Sequence, residues 1–218
     1  YGTINVIGLA IGMAACILIL LYIKDELSYD RFHADAERIY RVVDDETSGG
    51  QTILQAGTPT GWGPALQREF PSIESHTRMR GTGTAWLITF EDIHFYEKKI
   101  TWAEANLFEV FDFPLVSGTP QSALSDPYTM VVSEDMAMKY FGTLDAVGRT
   151  INVDKRWDFR VSAVMRNTPT NSHLRPDMFA SYETIVAIGD LDVADWEDHD
   201  NFYTYLKLRK DADPKELE

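Results

Sequence analysis

An uncharged segment of twenty residues near the N-terminus constrains this chain more than any other feature. Residues 4–23 contain no Asp, Glu, Lys or Arg, and Asn5 is their only side-chain amide. As an α-helix rising about 1.5 Å per residue, the segment would span about 30 Å, the thickness of the hydrocarbon core of a bilayer. A buried helix in a domain of this size is rarely apolar on every face. The sequence therefore predicts a transmembrane helix.

Two other interpretations of this segment remain open. Residues 13–16, MAAC, resemble a lipoprotein cleavage site at Cys16, although residues 17–23 stay apolar where a mature lipoprotein normally becomes polar. A buried helix of a soluble protein is the second alternative. Cys16 is the only cysteine, so neither a disulfide framework nor a cysteine metal site is expected.

Small residues recur at every fourth position of the segment, at Gly8, Gly12 and Cys16. In a membrane helix this spacing lets a second helix approach closely, so it predicts a helix-packing face. Glycine is also common in membrane helices in general, which explains the pattern equally well.

The charged residues that follow predict where the membrane ends and a stalk begins. Acidic and basic residues are mixed here, and the lack of a basic excess favours an extracytoplasmic body. The predicted membrane exit and stalk consist of Lys24, Asp25, Glu26, Tyr29, Asp30, Arg31 and Phe32.

The rest of the chain is acidic, with 34 Asp and Glu against 20 Lys and Arg and a formal charge of −14. This excess argues against binding of nucleic acid or anionic lipid by the globular part. An aromatic content of 12% is too high for a disordered acidic segment. A folded body is therefore expected.

Hydrophobic patterns predict an α+β body of short strands and few helices. Residues 38–43 and 51–56 are predicted to form partner strands, and residues 60–70 a helix that stops at Pro71. Asn106 and Ser133 are predicted helix N-caps, with Gly142 at the end of the second helix. The clearest strand pattern is the alternation of Trp157, Phe159, Val161, Ala163 and Met165. Asp213-Pro214 predicts the start of a helix, so we expect the sequence to stop inside an element.

No catalytic, cofactor or metal site is predicted. Residues 141–150 resemble a phosphate-binding loop, but Gly142 and Gly148 are one residue too far apart and Arg149 replaces the lysine. The histidines show no zinc spacing and are expected to be surface or packing residues. They are His33, His76, His94, His173 and His199.

The acidic stretch at residues 190–200 lacks the spacing of a calcium loop and is expected to be solvated. An anchored hydrolase that uses this stretch is the only enzymatic alternative, and a bound metal there would support it.

Motifs spread over nearly the whole chain resemble those of FtsX-like ABC transporter permeases, in the form common in Bacteroidetes-type bacteria. Each is weak alone, but they keep the order found in the family. They are NVIGLAIG (5–12), LLYIKDELSYDRFH (20–33), AERIYRV (36–42), LFEVFDFPLVSG (107–118), AMKYFG (137–142), VGRT (147–150), FRVSAVM (159–165), NFYTYL (201–206) and ADP (212–214).

The resemblance implies a first transmembrane helix and stalk at residues 1–27, followed by a MacB-like periplasmic core domain. In that family the core has a porter-like βαβ part and an inserted, smaller α/β part called Sabre. Carried over, the porter-like subdomain would comprise residues 34–97 with 200–218, and the insert residues 98–199. The chain would then be an N-terminal fragment of a permease.

The resemblance also implies a non-catalytic permease subunit in the bacterial inner membrane, with its body in the periplasm. Its expected partners are a cytoplasmic ABC ATPase, a second permease copy or homologue, membrane lipid, and a periplasmic adaptor or cargo, but no nucleic acid. It would couple ATP hydrolysis to periplasmic movement, for export or for mechanotransmission to other proteins. A single-pass anchored binding or sensor domain is the alternative.

Overall fold

The structure is a computed structural model that describes residues 2–48, 51–189, 196 and 202–217, and it begins with one long helix, α1 (Gly2–Glu26). No residue of α1 is buried against the body. Among the described residues, α1 is the one helix long and apolar enough to cross a membrane. Its apolar side chains have no protein surface to cover them, which fits a membrane-anchored protein.

Short strands and helices build the rest of the chain. The strands are β1 (Ile39–Arg41), β2 (Asp44–Ser48), β3 (Gln51–Gln55), β4 (Ile73–Gly81), β5 (Trp86–Phe90), β6 (Ile93–Glu97), β7 (Ile100–Ala103), β8 (Leu115–Ser117), β9 (Thr129–Ser133), β10 (Thr150–Val153), β11 (Trp157–Met165), β12 (Met178–Ser181) and β13 (Tyr203–Leu208). The helices are α2 (Trp62–Glu69), α3 (Leu107–Val110), α4 (Glu134–Phe141) and α5 (Tyr182–Ala187). Ala36–Arg38 and Pro214–Leu217 form single 3₁₀ turns. This mixture confirms the predicted α+β class.

One sheet connects most of these strands, in the order β1-β13-β4-β7-β12-β9-β11-β10-β5-β6, with β8 paired to β11. The pairs β7–β12 and β9–β11 are parallel, and the other pairs are antiparallel. The predicted partnership between the first two strands is wrong. β3 pairs with β2 in a separate hairpin, while β1 pairs with β13, whose partner residues lie more than 160 positions away.

Apolar side chains fill both faces of the sheet. Along β9, Met130 and Val132 join one buried cluster while Val131 joins the other. The short helices α4 and α5 add residues to the first cluster, and α3 adds Leu107 and Val110 to the second. Full burial of one aliphatic or aromatic side chain contributes about 1.5–3 kcal/mol, so the two clusters are the main stabilising force of the body.

A β-bulge interrupts the alternation in β11. The register against β9 shifts between Val161 and Ala163. Phe159 and Val161 therefore belong to the first cluster, whereas Ala163 and Met165 belong to the second. The strand prediction is confirmed, but the extra residue moves the side chains that follow to the opposite face.

The predicted helix caps have mixed outcomes. The Ser133 hydroxyl accepts from the backbone amide three residues on at 3.3 Å, and Gly142 ends α4 at a φ of 66°, so both predictions for α4 are confirmed. Asn106 lies at the N-cap position of α3 but its side chain makes no capping bond. Asp213 accepts from the amide of Lys215 at 3.0 Å, at the start of the final 3₁₀ turn.

Candidate functional site at the junction of helix and body

The chain folds onto the body immediately after α1. The Leu27 amide donates to the Ile23 carbonyl at 2.9 Å, and the Ser28 hydroxyl donates to the Asp25 carbonyl at 2.7 Å, so the last turn of α1 is capped. Consecutive turns then follow as far as residue 32. We call residues 28–35, together with the body residues they contact, the junction.

Asp30 makes the most bonds in the junction. Its Oδ1 accepts from the Ser172 hydroxyl at 2.9 Å and from the His173 backbone amide at 3.0 Å. Its Oδ2 lies 2.6 Å from His173 Nδ1. The Asp30 amide also donates to the Asn171 carbonyl at 2.9 Å, and the Asn171 side chain donates to the Ser28 carbonyl at 2.9 Å. Residues 28–30 are thereby bound to a loop more than 140 positions away in the sequence.

The backbone of Asp30 has a φ of 57°, in the left-handed region. Aspartate tolerates this conformation better than most residues because its short side chain bonds locally. Burial raises the pKa of the Asp30 carboxyl, but the hydrogen bonds from His173 and Ser172 outweigh burial, and the net pKa is below the ordinary value. The carboxylate is therefore ionised at neutral pH and its three bonds are charge-assisted.

His173 connects Asp30 to the central sheet. Its Nε2 lies 3.3 Å from the hydroxyl of Tyr205, which is on β13. Asp30 and His173 have the arrangement of the acid and base of a hydrolase triad, but the hydroxyl beside them belongs to a side chain that is only 4% exposed. Burial also raises the pKa of Tyr205, which opposes its ionisation. The arrangement is suited to holding two segments together rather than to nucleophilic attack.

His33 forms the second attachment of the junction. Its Nδ1 accepts from the Asp112 amide at 3.0 Å, and the Asp112 carboxylate accepts from the Ala34 amide at 2.6 Å. The His33 ring is buried, with ring centroids of Phe111 and Phe113 at 5.2 and 5.7 Å. Burial lowers the pKa of His33, so the ring is neutral at pH 7.

Asp35 forms the third attachment. Its carboxylate lies 2.6 Å from Arg38 and 2.7 Å from Lys207 on β13. The side-chain bonds from Arg38 and Lys207 lower the pKa of Asp35 to about 2. These groups are partly exposed, so the ion pairs orient the chain more than they stabilise it.

A cleft of about 280 Å³ opens beside these attachments. Its lining includes Asp30, His33, Arg41, His173 and Tyr205. The cleft is small for an organic ligand and lies where the exit segment contacts the body.

Of the residues predicted for the membrane exit and stalk, Asp30 makes the contacts that define the junction. Lys24, Asp25 and Glu26 form the last turn of α1, and Tyr29 and Arg31 are exposed in the turns that follow. The Phe32 ring stacks on His33, at 3.9 Å between centroids.

The predicted packing residues of α1 have no neighbour in the described chain. Apart from the neighbouring backbone of α1 itself, no described atom lies within 4 Å of a Cβ built at Gly8 or Gly12, and Cys16 is exposed. Their role against another helix stays a prediction.

Sequence reasoning missed most of the junction. His33 and His173 were expected to be ordinary surface or packing residues, and both bind the exit segment instead. Asn171 and Ser172 lie in a polar loop without regular structure. In the sequence, nothing distinguishes Tyr205 from the other aromatic residues of the strands. The family motif that includes Asp30 and His33 was the one signal that could have directed attention here.

The structure describes part of the segments that were considered as phosphate or metal sites. Residues 142–149 connect α4 to β10 as a turn rather than opening a helix, and no cluster of metal-binding side chains occurs in the described ranges. The acidic stretch at 190–200 lies outside the described residues, apart from Trp196.

Extracytoplasmic domains of ABC transporter permeases share this architecture. A domain from a protein assigned as a permease in Porphyromonas gingivalis superposes with a TM-score of 0.68 at 26% identity, covering 83% of this chain and 79% of that one. The periplasmic region of MacB from Actinobacillus actinomycetemcomitans gives 0.59 at 14% identity, covering 83% and 78%. The extracellular domain of the ABC-type transporter YknZ from Gram-positive bacteria gives 0.53 at 13%, covering 79% and 83%. At such low identities, the last two likenesses show the fold alone.

The family is assigned over almost the whole chain. The MacB-like periplasmic core domain family matches residues 3–218, so the chain belongs to this family, that of ABC transporter permease components. No curated protein matches the chain.

Proposed function

We propose that this chain is part of a non-catalytic permease subunit that transmits movement from a cytoplasmic ABC ATPase to an extracytoplasmic body. In this proposal α1 crosses the bacterial inner membrane and the body lies in the periplasm. The ATPase hydrolyses ATP, a second permease copy or homologue completes the assembly, and the body acts on a periplasmic adaptor or cargo. The family and the single apolar helix support this assignment.

The observation that supports it best is the bonding of the junction. α1 has 25 residues and would be about 37 Å long, enough to pass through a bilayer as one rigid rod. A flexible linker after the helix would absorb any movement of that rod. Here the segment after α1 is bonded to the body through Asp30, His33 and Asp35. A shift or tilt of α1 would therefore be passed to the body.

The junction also meets both proposed parts of the body. If residues 34–97 with 200–218 form the porter-like part and residues 98–199 the insert, Asp30 and His33 bind the insert at residues 171–173 and 112. Asp35 already belongs to the porter-like part in this division, and its ion pair with Lys207 holds the start of that part to β13. In this division, movement of α1 would act on both parts at once.

The test is to purify the full-length natural protein with its neighbouring ATPase in lipid nanodiscs and to measure ATP hydrolysis with and without candidate cargoes. We expect a stable complex whose hydrolysis responds to cargo, and a response that weakens in Asp30→Gly. Asp158→Ala, which changes an exposed carboxylate on β11, is the matched control.

Two results would favour the anchored binding or sensor domain. One is the failure of any ABC ATPase to associate with the full-length protein. The other is a natural sequence that carries no apolar segments beyond α1.

A further inference from the structure

A basic cleft lies beside the junction, on the other side of His173. It has a volume of about 470 Å³ and is formed by the turn between β4 and β5, the turn between β6 and β7, and residues 173–176 before β12. Lys98, Lys99, His173 and Arg175 line it together with the Gly81–Ala85 turn, and no Asp or Glu is among its lining residues. For a chain with a net charge of −14, this is a local reversal of sign.

The basic side chains are available to a ligand. Lys98, Lys99 and Arg175 are all exposed. Arg175 uses one guanidinium nitrogen to donate to the Thr170 carbonyl at 3.1 Å, which fixes the side chain and leaves its other donors for a ligand. Asp177, whose carboxyl interacts with Lys99, does not line the cleft.

The turn between β4 and β5 adds backbone donors. Gly83 has a φ of 69°, and within the described ranges the amides of Gly83 and Thr84 donate to no acceptor. Successive free amides in a glycine turn form a concave site suited to an anionic oxygen.

The cleft also lies close to the end of α1. His173 lines the cleft and is bonded to Asp30, which is four residues beyond Glu26. Four residues extend at most about 14 Å, and the intervening turns shorten that distance. The headgroup layer extends about 5–8 Å beyond the hydrocarbon core on each side and therefore takes up part of this distance.

We propose that this cleft binds the phosphate of an anionic lipid headgroup. Lys98, Lys99 and Arg175 would neutralise the phosphate, and the amides of the Gly81–Ala85 turn would donate to its oxygens. The acidic net charge argues against recruitment of the body to an anionic surface, but a chain anchored by α1 needs no recruitment. The inference rests on one part of the proposed function, namely that α1 crosses a membrane.

The test is a lipid titration of the full chain, purified and delipidated in detergent, followed by native mass spectrometry. The probes are dioleoylphosphatidylglycerol, dioleoylphosphatidylcholine and inorganic phosphate as a soluble competitor. The cleft variant is Lys98→Gln/Lys99→Gln/Arg175→Gln, and its matched control is Arg68→Gln/Lys155→Gln/Lys215→Gln. Thr84→Glu, which adds a carboxylate to the cleft and leaves the three basic residues in place, is a second variant.

We expect one saturable phosphatidylglycerol adduct whose Kd rises by at least about tenfold in the cleft variant and in Thr84→Glu, but not in the control. Equal affinity of the cleft variant and the control would overturn the site, as would equal binding of phosphatidylcholine. A phosphate adduct at millimolar concentration without a saturable phosphatidylglycerol adduct would assign the site to soluble phosphate and refute the lipid source. None of these outcomes depends on an ATPase, so failure here leaves the permease proposal standing.

Discussion

Replacing Asp30 by glycine would weaken the attachment of the exit segment to the body without straining the backbone. Glycine adopts a φ of 57° freely, so the change removes the carboxylate and keeps the turn. Three hydrogen bonds to the carboxylate are lost, and bonds to charged groups contribute about 1.5–3 kcal/mol each when buried. The Asp30 and His173 side chains are 29% and 45% exposed, which reduces the expected local loss to roughly 2–3 kcal/mol.

Hydrogen exchange of residues 171–174 measures this loss directly, because the His173 amide donates to Asp30. A loss of 2–3 kcal/mol corresponds to exchange about 30- to 150-fold faster in that segment. Asp30→Asn, which also tolerates the left-handed conformation, should give a smaller increase. Asp158→Ala, which removes an exposed bond to Asn152, should give none. If Asp30→Gly and Asp158→Ala exchange alike at residues 171–174, the carboxylate does not hold the junction together.

Three further predictions concern the core, the pH response and α1. Glu104→Ala should lower the unfolding free energy by about 3–5 kcal/mol in urea titrations, because Arg78 is only 5% exposed and loses its carboxylate partner. Arg78→Met/Glu104→Leu should recover most of this free energy, and an equal loss in the single and the double variant would refute the explanation. Burial lowers the pKa of His33 from 6.5, so the contribution of neutral His33 to folding stability is complete above pH 6.5 and is lost as the pH falls towards the folded-state pKa. The urea midpoints at pH 7.5 and pH 5.5 should therefore differ more in the wild type than in His33→Gln, and an equal difference in the two proteins would contradict this. Gly8→Leu/Gly12→Leu should leave the melting temperature of the body unchanged, since a Cβ at either site contacts no described atom outside the neighbouring backbone of α1. The same variant should weaken assembly of the full complex in pull-down experiments. Unchanged assembly and ATPase activity would refute the helix-packing proposal.

The features that the sequence could predict are those determined by neighbouring residues. The uncharged run predicts α1 because its length and composition alone match a bilayer. The cap at Ser133 and the glycine at 142 act within a few residues of their own helix, and both are found. The α+β class follows from the same local patterns.

The features that it could not predict depend on distant pairings. The pairing of β1 with β13 is determined by the order of strands in the whole sheet. No property of residues 38–56 distinguishes β13 from β3 as the partner of β1. The bulge near Ser162 depends on the register against β9, so a regular alternation concealed it. The partners of Asp30 lie more than 140 residues away in an irregular loop, where neither periodicity nor a motif marks them.

A distance measurement in the assembled transporter tests most directly whether movement of α1 reaches the body. Cys16 is the only cysteine of the 218 residues. Replacing it, and any cysteine elsewhere in the natural permease, by serine and then introducing Lys155→Cys gives one spin-label site on an exposed turn of the body. Double electron–electron resonance spectroscopy in nanodiscs would then measure the distance between the spin labels on the bodies of two permease copies, with and without ATP. We expect an ATP-dependent shift that is reduced in Asp30→Gly while the ATPase stays bound, because the attachments through His33 and Asp35 remain. The same shift in both proteins would contradict this expectation.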